Sequence, residues 1–178
     1  MSKPILDQKT VRELLDYNPD TGEFRWRQRD RKWFATEHHC NTWNTRFAGK
    51  VAGNLAANGY WHMCILYRQY WAHRLAWLWV YGSWPKKCID HIDENPLNNA
   101  IENLRDVTRR VNQQNQKSAQ NNNKCGLRGV HWEKKRSKWC AKIKAADRTV
   151  HIGYFPTAEE ARLAYLEVKA LLHEGHVQ

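Results

Sequence analysis

The sequence predicts an α+β chain in two parts, a strand–loop–strand–helix run followed by a three-stranded antiparallel sheet with one helix. Three observations predict it. In residues 87–116 an apolar residue precedes Asp90-His91 and a polar turn rich in Asn and Pro follows. IENLRDV then returns as a short strand, and Thr108 stands where a helix N-cap belongs, ahead of RRVNQQNQ. In residues 126–155 three alternating runs, LRGVHWEK, KWCAKIKA and RTVHIGYF, are separated by polar turns, as in a meander. Between the two parts, NQQNQKSAQNNNK has Ala119 as its one apolar residue and cannot bury a core face, so its later part reads as a linker. The predicted organisation is an N-terminal region with the first domain over 1–118, a linker over 119–124, and a second domain over 125–178.

Ahead of the central run, residues 10–17 have a short helix pattern and end at the turn residues NPDTG. FRWRQR alternates apolar and basic residues as a half-buried strand does, whereas residues 30–48 show no clear period. GNLAANGYWHMCILY reads as a turn into a strand, with Asn58-Gly59 as the turn signal. Residues 73–82 place Leu75, Leu78 and Trp79 at helical spacing, with Gly82 as C-terminal cap. TAEEARLAYLEVKALLHEG begins with Thr157 as N-cap and Glu160 completing a capping box. Ala161, Ala164, Tyr165, Val168, Leu171 and Leu172 form the apolar face of that helix, which is expected to cover the sheet.

Composition narrows the partner. A net charge of +11 over 178 residues calls for an anionic one. No apolar run approaches the roughly 20 residues that span a bilayer, so nucleic acid is expected rather than membrane. The N-terminal MSKPILDQKT lacks the apolar core of a signal peptide, and the expected location is the cytoplasm. Five scattered cysteines without a C-x-x-C pair indicate neither a redox motif nor a zinc ribbon. His38, His39 and Cys40 lack a second ligand pair at a recognisable spacing, so a structural zinc is not expected. The charge is uneven: residues 124–148 hold nine Lys/Arg against two Asp/Glu, the pattern of a contact face.

The central run has the parts that phosphodiester hydrolysis needs. Asp90 is a hard oxygen ligand suited to Mg²⁺, which favours carboxylate, water and phosphate. His91 is a natural general base near neutral pH, and a bulged strand would let it converge with Asp90. Arg109 and Asn112, three apart on a helix, share a face; the amide can offer a carbonyl oxygen to the metal and the guanidinium can bind phosphate.

IDHIDENPLNNAIENL followed by VTRRVNQQN resembles the signature of phage and intron-encoded His-Asn-His endonucleases, whose site is a ββα-metal finger. YNPDTGEFRWR, NGYWHMCI and AHRLAWLWVYGSWP resemble the region ahead of that motif in phage members. The resemblance implies Asp90 as metal ligand, His91 as the base that activates water, and Asn103 as the Asn that braces the loop and orients the histidine. It implies Asn112, at the motif's final His, as second metal ligand, and Arg109 as a phosphate or leaving-group contact. His73 either frames the site or packs. Glu94 replaces the usual Gly and Asn98-Asn99 the usual Asp-Asn, positions not expected to bear the chemistry. The implied cofactor is Mg²⁺, with Mn²⁺ as substitute.

Residues 124–174 resemble the plant APETALA/ethylene-response-factor DNA-binding domain, in RGV and in HIGYFPTAEEARLAY. The resemblance implies strand-borne DNA contacts at Arg128, His131, Lys142, Lys144 and His151, with Lys134 and Arg136 in the first turn. Alternation puts Arg128, Trp132, Lys138, Lys142 and Lys144 on the face away from the helix. Trp139 either packs or touches the DNA backbone.

The expected function is thus a metal-dependent endonuclease on double-stranded DNA, of the phage homing or nicking kind and acting as a monomer. The alternative is a DNA-binding regulator without catalysis. An RNA-binding protein would need a platform of exposed aromatics for unpaired bases, which the sequence does not display.

Overall fold

A computed structural model describes residues 6–115, 123, 125–145 and 148–172. Its several small sheets are all antiparallel. The chain divides into two compact units, Met1–Val107 and Thr108–Gln178.

The first unit opens with α1 (Gln8–Leu14), capped by the Asp7 carboxylate, which accepts from the Thr10 amide at 2.8 Å. The predicted helix over 10–17 stops early because Leu15 and Tyr17 alternate into the core as β1 (Leu15–Tyr17), which pairs with β2 (Phe24–Trp26). The patternless residues 30–48 form a short 3-10 turn and then α2 (Glu37–Phe47), whose only buried residue is Cys40. Its apolar positions, Cys40, Trp43 and Phe47, are too sparse among polar residues to mark the helix in the sequence. The Asn58-Gly59 turn joins β3 (Asn54–Leu55) to β4 (Trp61–Ile65), and with β5 (Arg68–Trp71) they make a three-stranded sheet. The turn between β4 and β5 puts Leu66 and Tyr67 at positive φ, 49° and 65°.

α3 (Ala72–Tyr81) buries Ala72, Leu75, Ala76 and Leu78 and ends on Gly82 in the left-handed region. These residues meet Val11, Leu14, Leu15, Phe24, Met63 and Ile65 in one core, around which Trp26, Trp61, Trp77, Trp79 and Trp84 pack. Tryptophan supplies much of the apolar area that so small a unit can bury. β6 (Cys88–His91) and β7 (Leu104–Val107) pair at the edge of this core, in which Ile89 and Leu104 take part.

The second unit begins with α4 (Arg109–Asn115), whose Val111 amide donates to the Thr108 hydroxyl. β8 (Val130–Glu133), β9 (Lys138–Ala145) and β10 (Arg148–Phe155) form a sheet of order β10-β9-β8, and α5 (Ala158–Leu172) follows. Thr157 and Glu160 form the capping contact of α5, at 3.2 Å from the Glu160 amide to the Thr157 hydroxyl. Val130, Ala141, Ile143, Ala161 and Tyr165 are the core of this unit. The expected apolar face of α5 is corrected at its end: Leu171 is 85% exposed and Lys169 is buried instead. The predicted linker lies outside the described residues except for Asn123, whose amide donates to Leu127 O at 2.7 Å.

Gly129 has φ +76°, and a Cβ there would strike the Tyr165 ring and Lys142 O. The glycine of RGV therefore lets α5 seat its tyrosine on the sheet. Gly129→Ala should destabilise the second unit by more than about 1 kcal/mol, the usual cost when a left-handed glycine lacks room for a side chain. A urea titration followed by far-ultraviolet circular dichroism checks this.

Candidate active site

Asp90 and His91 lie on β6, and β7 positions the first of them. Asp90 is directly opposite Arg105 in the β6–β7 register, and residues opposite on an antiparallel pair share a face. The guanidinium donates from Nε at 2.8 Å and sits at 2.7 Å through its second nitrogen, both to Asp90 Oδ2. Asp90 is 5% exposed, so this pairing supplies the compensation that a buried carboxylate needs. The expected bulge is absent, because β6 and β7 pair in continuous register. Successive side chains on a regular strand alternate, so His91 does not follow Asp90 towards Arg105.

His91, 6% exposed, turns instead to Asn99, with His91 Nε2 and Asn99 Oδ1 3.2 Å apart. Asn99 Nδ2 donates to Leu97 O at 3.2 Å, which fixes the amide so that its oxygen faces the ring. His91 Nε2 must then be the protonated nitrogen, and Nδ1 keeps the lone pair. Burial lowers the His91 pKa, against the opposing pull of the Asn99 hydrogen bond and of Asp93 and Asp90, so the ring is neutral at physiological pH.

Asn99 is itself held from behind. It is 3% exposed, and the Tyr17 hydroxyl donates to its carbonyl at 2.7 Å. Ile101 N donates to Pro19 O at 2.9 Å. Gly22, at φ +74°, lies so close that a Cβ would collide with the Asn99 carbonyl carbon and the Ala100 nitrogen. The turn between β1 and β2 thus backs the loop that faces the histidine.

Asn103 holds the same loop from the other end. Its oxygen accepts from Asp93 N at 3.0 Å, and its amide donates to Asp93 Oδ1 at 2.9 Å and to Asn98 O at 2.8 Å. The Asn103 contacts run along the loop, whereas the contact with the His91 ring is made by Asn99. Asn99, set aside in the sequence as chemically silent, is the correction here. Arg105 was also missed; the signal for it was its opposite register to Asp90, legible only once the strand pairing is known.

His73, at the start of α3, packs edge-on against His91 with ring centroids 5.3 Å apart, and Tyr60 lies 5.5 Å and 6.0 Å from the two rings. His73 Nδ1 is buried and has no hydrogen-bond partner among the described residues. Burial, then the neighbouring His91, depresses its pKa to about 3.

Arg109 and Asn112 stand on α4 in the second unit, Arg109 exposed and Asn112 half-buried. Among the described residues no group of three or more His, Cys, Asp or Glu could hold a metal ion. His38 and His39 are exposed on α2. Asp90, held by Arg105, is a hard oxygen donor of the kind a Mg²⁺ ion takes beside waters and phosphate oxygens.

In the second unit the register sorts the cationic residues. His131 opposes Cys140, Glu133 opposes Lys138, His151 opposes Lys142 and Thr149 opposes Lys144. These pairs share the face away from the Val130, Ala141 and Ile143 core. Arg136 lies over the Tyr154 ring at 4.6 Å, and Tyr154 lies against His151; Lys134 is exposed in the β8–β9 turn. Arg128 is a correction: it lines a cavity with Tyr165, Arg162 and Lys169 of α5 and donates to Gln113 O at 2.8 Å, on the helix side of the sheet. Trp132 is opposite Trp139, which packs against the core, so it too belongs to the helix side.

Residues 70–114 match the HNH endonuclease family. That segment is similar to an HNH endonuclease domain, a class of nuclease that acts on DNA. HNH nucleases generally use a divalent metal. Over 74 residues the chain is 40% identical to Protein 3.8 of Escherichia phage T7, across 41% of this chain and 60% of that protein. No solved structure matches. No helix among the described residues is long and apolar enough to cross a membrane.

The sites make a pH prediction. His73 stays neutral in the folded chain down to about pH 3, whereas unfolded it binds a proton near its ordinary pKa of 6.5. Its contribution to stability is complete above pH 6.5 and declines as the pH falls towards 3, by about 1.4 kcal/mol per pH unit. Between pH 7 and pH 5 the first unit should lose about 2 kcal/mol through this residue. In His73→Leu the decline should be shallower by that amount, read from denaturation curves at each pH.

Proposed function

We propose that the chain is a metal-dependent DNA endonuclease that hydrolyses phosphodiester bonds in double-stranded DNA. The observation that carries this reading is the buried, neutral His91 whose Nε2 is committed to Asn99, inside the segment that matches the HNH endonuclease family. In this reading His91 Nδ1 takes a proton from water, and the resulting hydroxide oxygen bonds to phosphorus in line with the scissile bond. The bond from phosphorus to the 3′ oxygen breaks, and that oxygen leaves with a proton from solvent. Asn99 holds the imidazole in the productive tautomer, and Asn103 braces the loop on which Asn99 sits.

Asp90 and Asn112 would hold the metal, most simply Mg²⁺. When bound, the ion supplies Lewis-acid stabilisation of the charge that develops on the phosphate. Arg109 would contact phosphate. In the C-terminal part we read an APETALA/ethylene-response-factor-like module that grips duplex DNA through His131, Lys138, Lys142, Lys144 and His151, with Lys134 and Arg136 at its edge. A phage homing or nicking enzyme acting as a monomer is the form of the activity that this reading favours.

The Arg105 pairing with Asp90 favours a second reading, a DNA-binding regulator without catalysis, since a carboxylate committed to an arginine is a poorer metal ligand.

Cleavage of supercoiled plasmid separates the two. Wild type with Mg²⁺ should nick or linearise it, and EDTA should abolish the product. His91→Ala should lower the rate at least 100-fold, about the lower bound for loss of a general base, with DNA binding kept. Binding without cleavage in Mg²⁺ and Mn²⁺ would establish the regulator. Because burial lowers the His91 pKa, the acid limb of the rate profile should fall below pH 6.5, and Asn99→Ala should cut kcat more than it raises KM.

A further inference from the structure

Helix α2 is held to the first unit by one face. Cys40 Sγ and Asn44 Nδ2 both donate to Arg29 O, at 3.5 Å and 2.9 Å, and Asn44 Oδ1 accepts from Arg29 N at 2.8 Å. The Arg29 guanidinium lies over Trp43 of the helix at 3.9 Å and over Trp26 of β2 at 4.8 Å. Its Nε has no hydrogen-bond partner among the described residues, so the contact is one of stacking. Phe47 packs on Trp43 at 5.3 Å. Cys40, Trp43, Asn44 and Phe47 recur at the 3–4 residue spacing of one helical face.

The opposite face carries His38, Asn41, Thr42, Thr45 and Arg46, all exposed. A solvated face of this kind is ordinarily filled with Lys, Glu, Gln or Ala, which favour the helix. Asn, Thr and His rank among the weaker helix formers, so local helix stability does not account for them. No acidic residue lies between His38 and Phe47. These are short hydrogen-bonding side chains, with a methyl on each Thr and one guanidinium, the groups that match base edges in the major groove. Beyond the C-terminal end of the helix, Arg25 donates to Gly49 O at 3.0 Å, and Lys50 is exposed beside it in the chain. Arg46 and Lys50 thus flank the polar face with positive charge, where phosphates line the groove.

We propose that α2 is a base-reading helix that enters the major groove of duplex DNA with the face carrying His38, Asn41, Thr42, Thr45 and Arg46. At 11 residues the helix is about 16 Å long and covers about four or five base pairs. The inference rests on the reading that the chain acts on duplex DNA, and extends it by naming where in the N-terminal unit sequence is read.

The test selects binders from a pool of duplexes with a randomised centre, in EDTA, using the full chain and the triple variant Asn41→Ala, Thr42→Ala, Thr45→Ala. Alanine is the better helix former, so the variant keeps its helix, and circular dichroism verifies this. The expected result is a wild-type motif from which the variant loses a block of three to five adjacent base pairs, with about tenfold discrimination lost at each. A separate variant, Arg46→Ala with Lys50→Ala, should weaken all duplexes alike and lower the salt slope by about 1.8. Identical motifs from wild type and triple variant, or no motif from wild type, overturn the proposal. Plasmid cleavage is read separately. Cleavage by wild type with an unchanged motif overturns the helix assignment alone. A motif that shrinks in the variant without any cleavage supports the helix and overturns the nuclease.

Discussion

The contact between His91 and Asn99 is the constraint on which the rest of the candidate site depends. An imidazole can present either nitrogen, and the 3.2 Å approach of an amide oxygen decides which one keeps its lone pair. That amide is oriented by Leu97 O, its backbone is held by the Tyr17 hydroxyl, and Gly22 leaves it room.

The ionisable groups near this contact are handled in opposite ways. Asp90 stays buried beside Arg105 from the opposite strand, so its charge is compensated. For His73 and His91 burial is the largest influence, and it keeps both rings neutral. The same region therefore holds a carboxylate paired with arginine and two uncharged imidazoles. In such a pairing the arginine is as much a part of the carboxylate's chemistry as the carboxylate itself.

The fold was legible where periodicity or turn chemistry is strong. Leu75, Leu78 and the Gly82 cap announced α3, and the three alternating runs before TAEEARLAY announced the C-terminal sheet. Helix α2 was hidden, because it buries only Cys40 fully and its other apolar residues, Trp43 and Phe47, stand isolated among polar ones. At the site, Asp90 and His91 could be picked out by residue type. Arg105 and Asn99 could not, since their partners are set by strand register and by a loop that doubles back eight residues later. The C-terminal face was half legible: alternation sorted Lys138, Lys142 and Lys144, but Arg128 precedes β8, outside the regular alternation of the sheet.

The turn between β1 and β2 gives the chain a property that its segmental likeness conceals. The stretch that matches HNH endonucleases starts at residue 70, yet Tyr17, Pro19 and Gly22 support its loop from far outside that boundary. A recombination event that moved residues 70–114 into another gene would carry Asp90, His91 and Asn99 but leave behind the residues that back their loop. The support of this loop therefore reaches back to Tyr17, and a graft cut at residue 70 would lose the contacts that hold the Asn99 backbone.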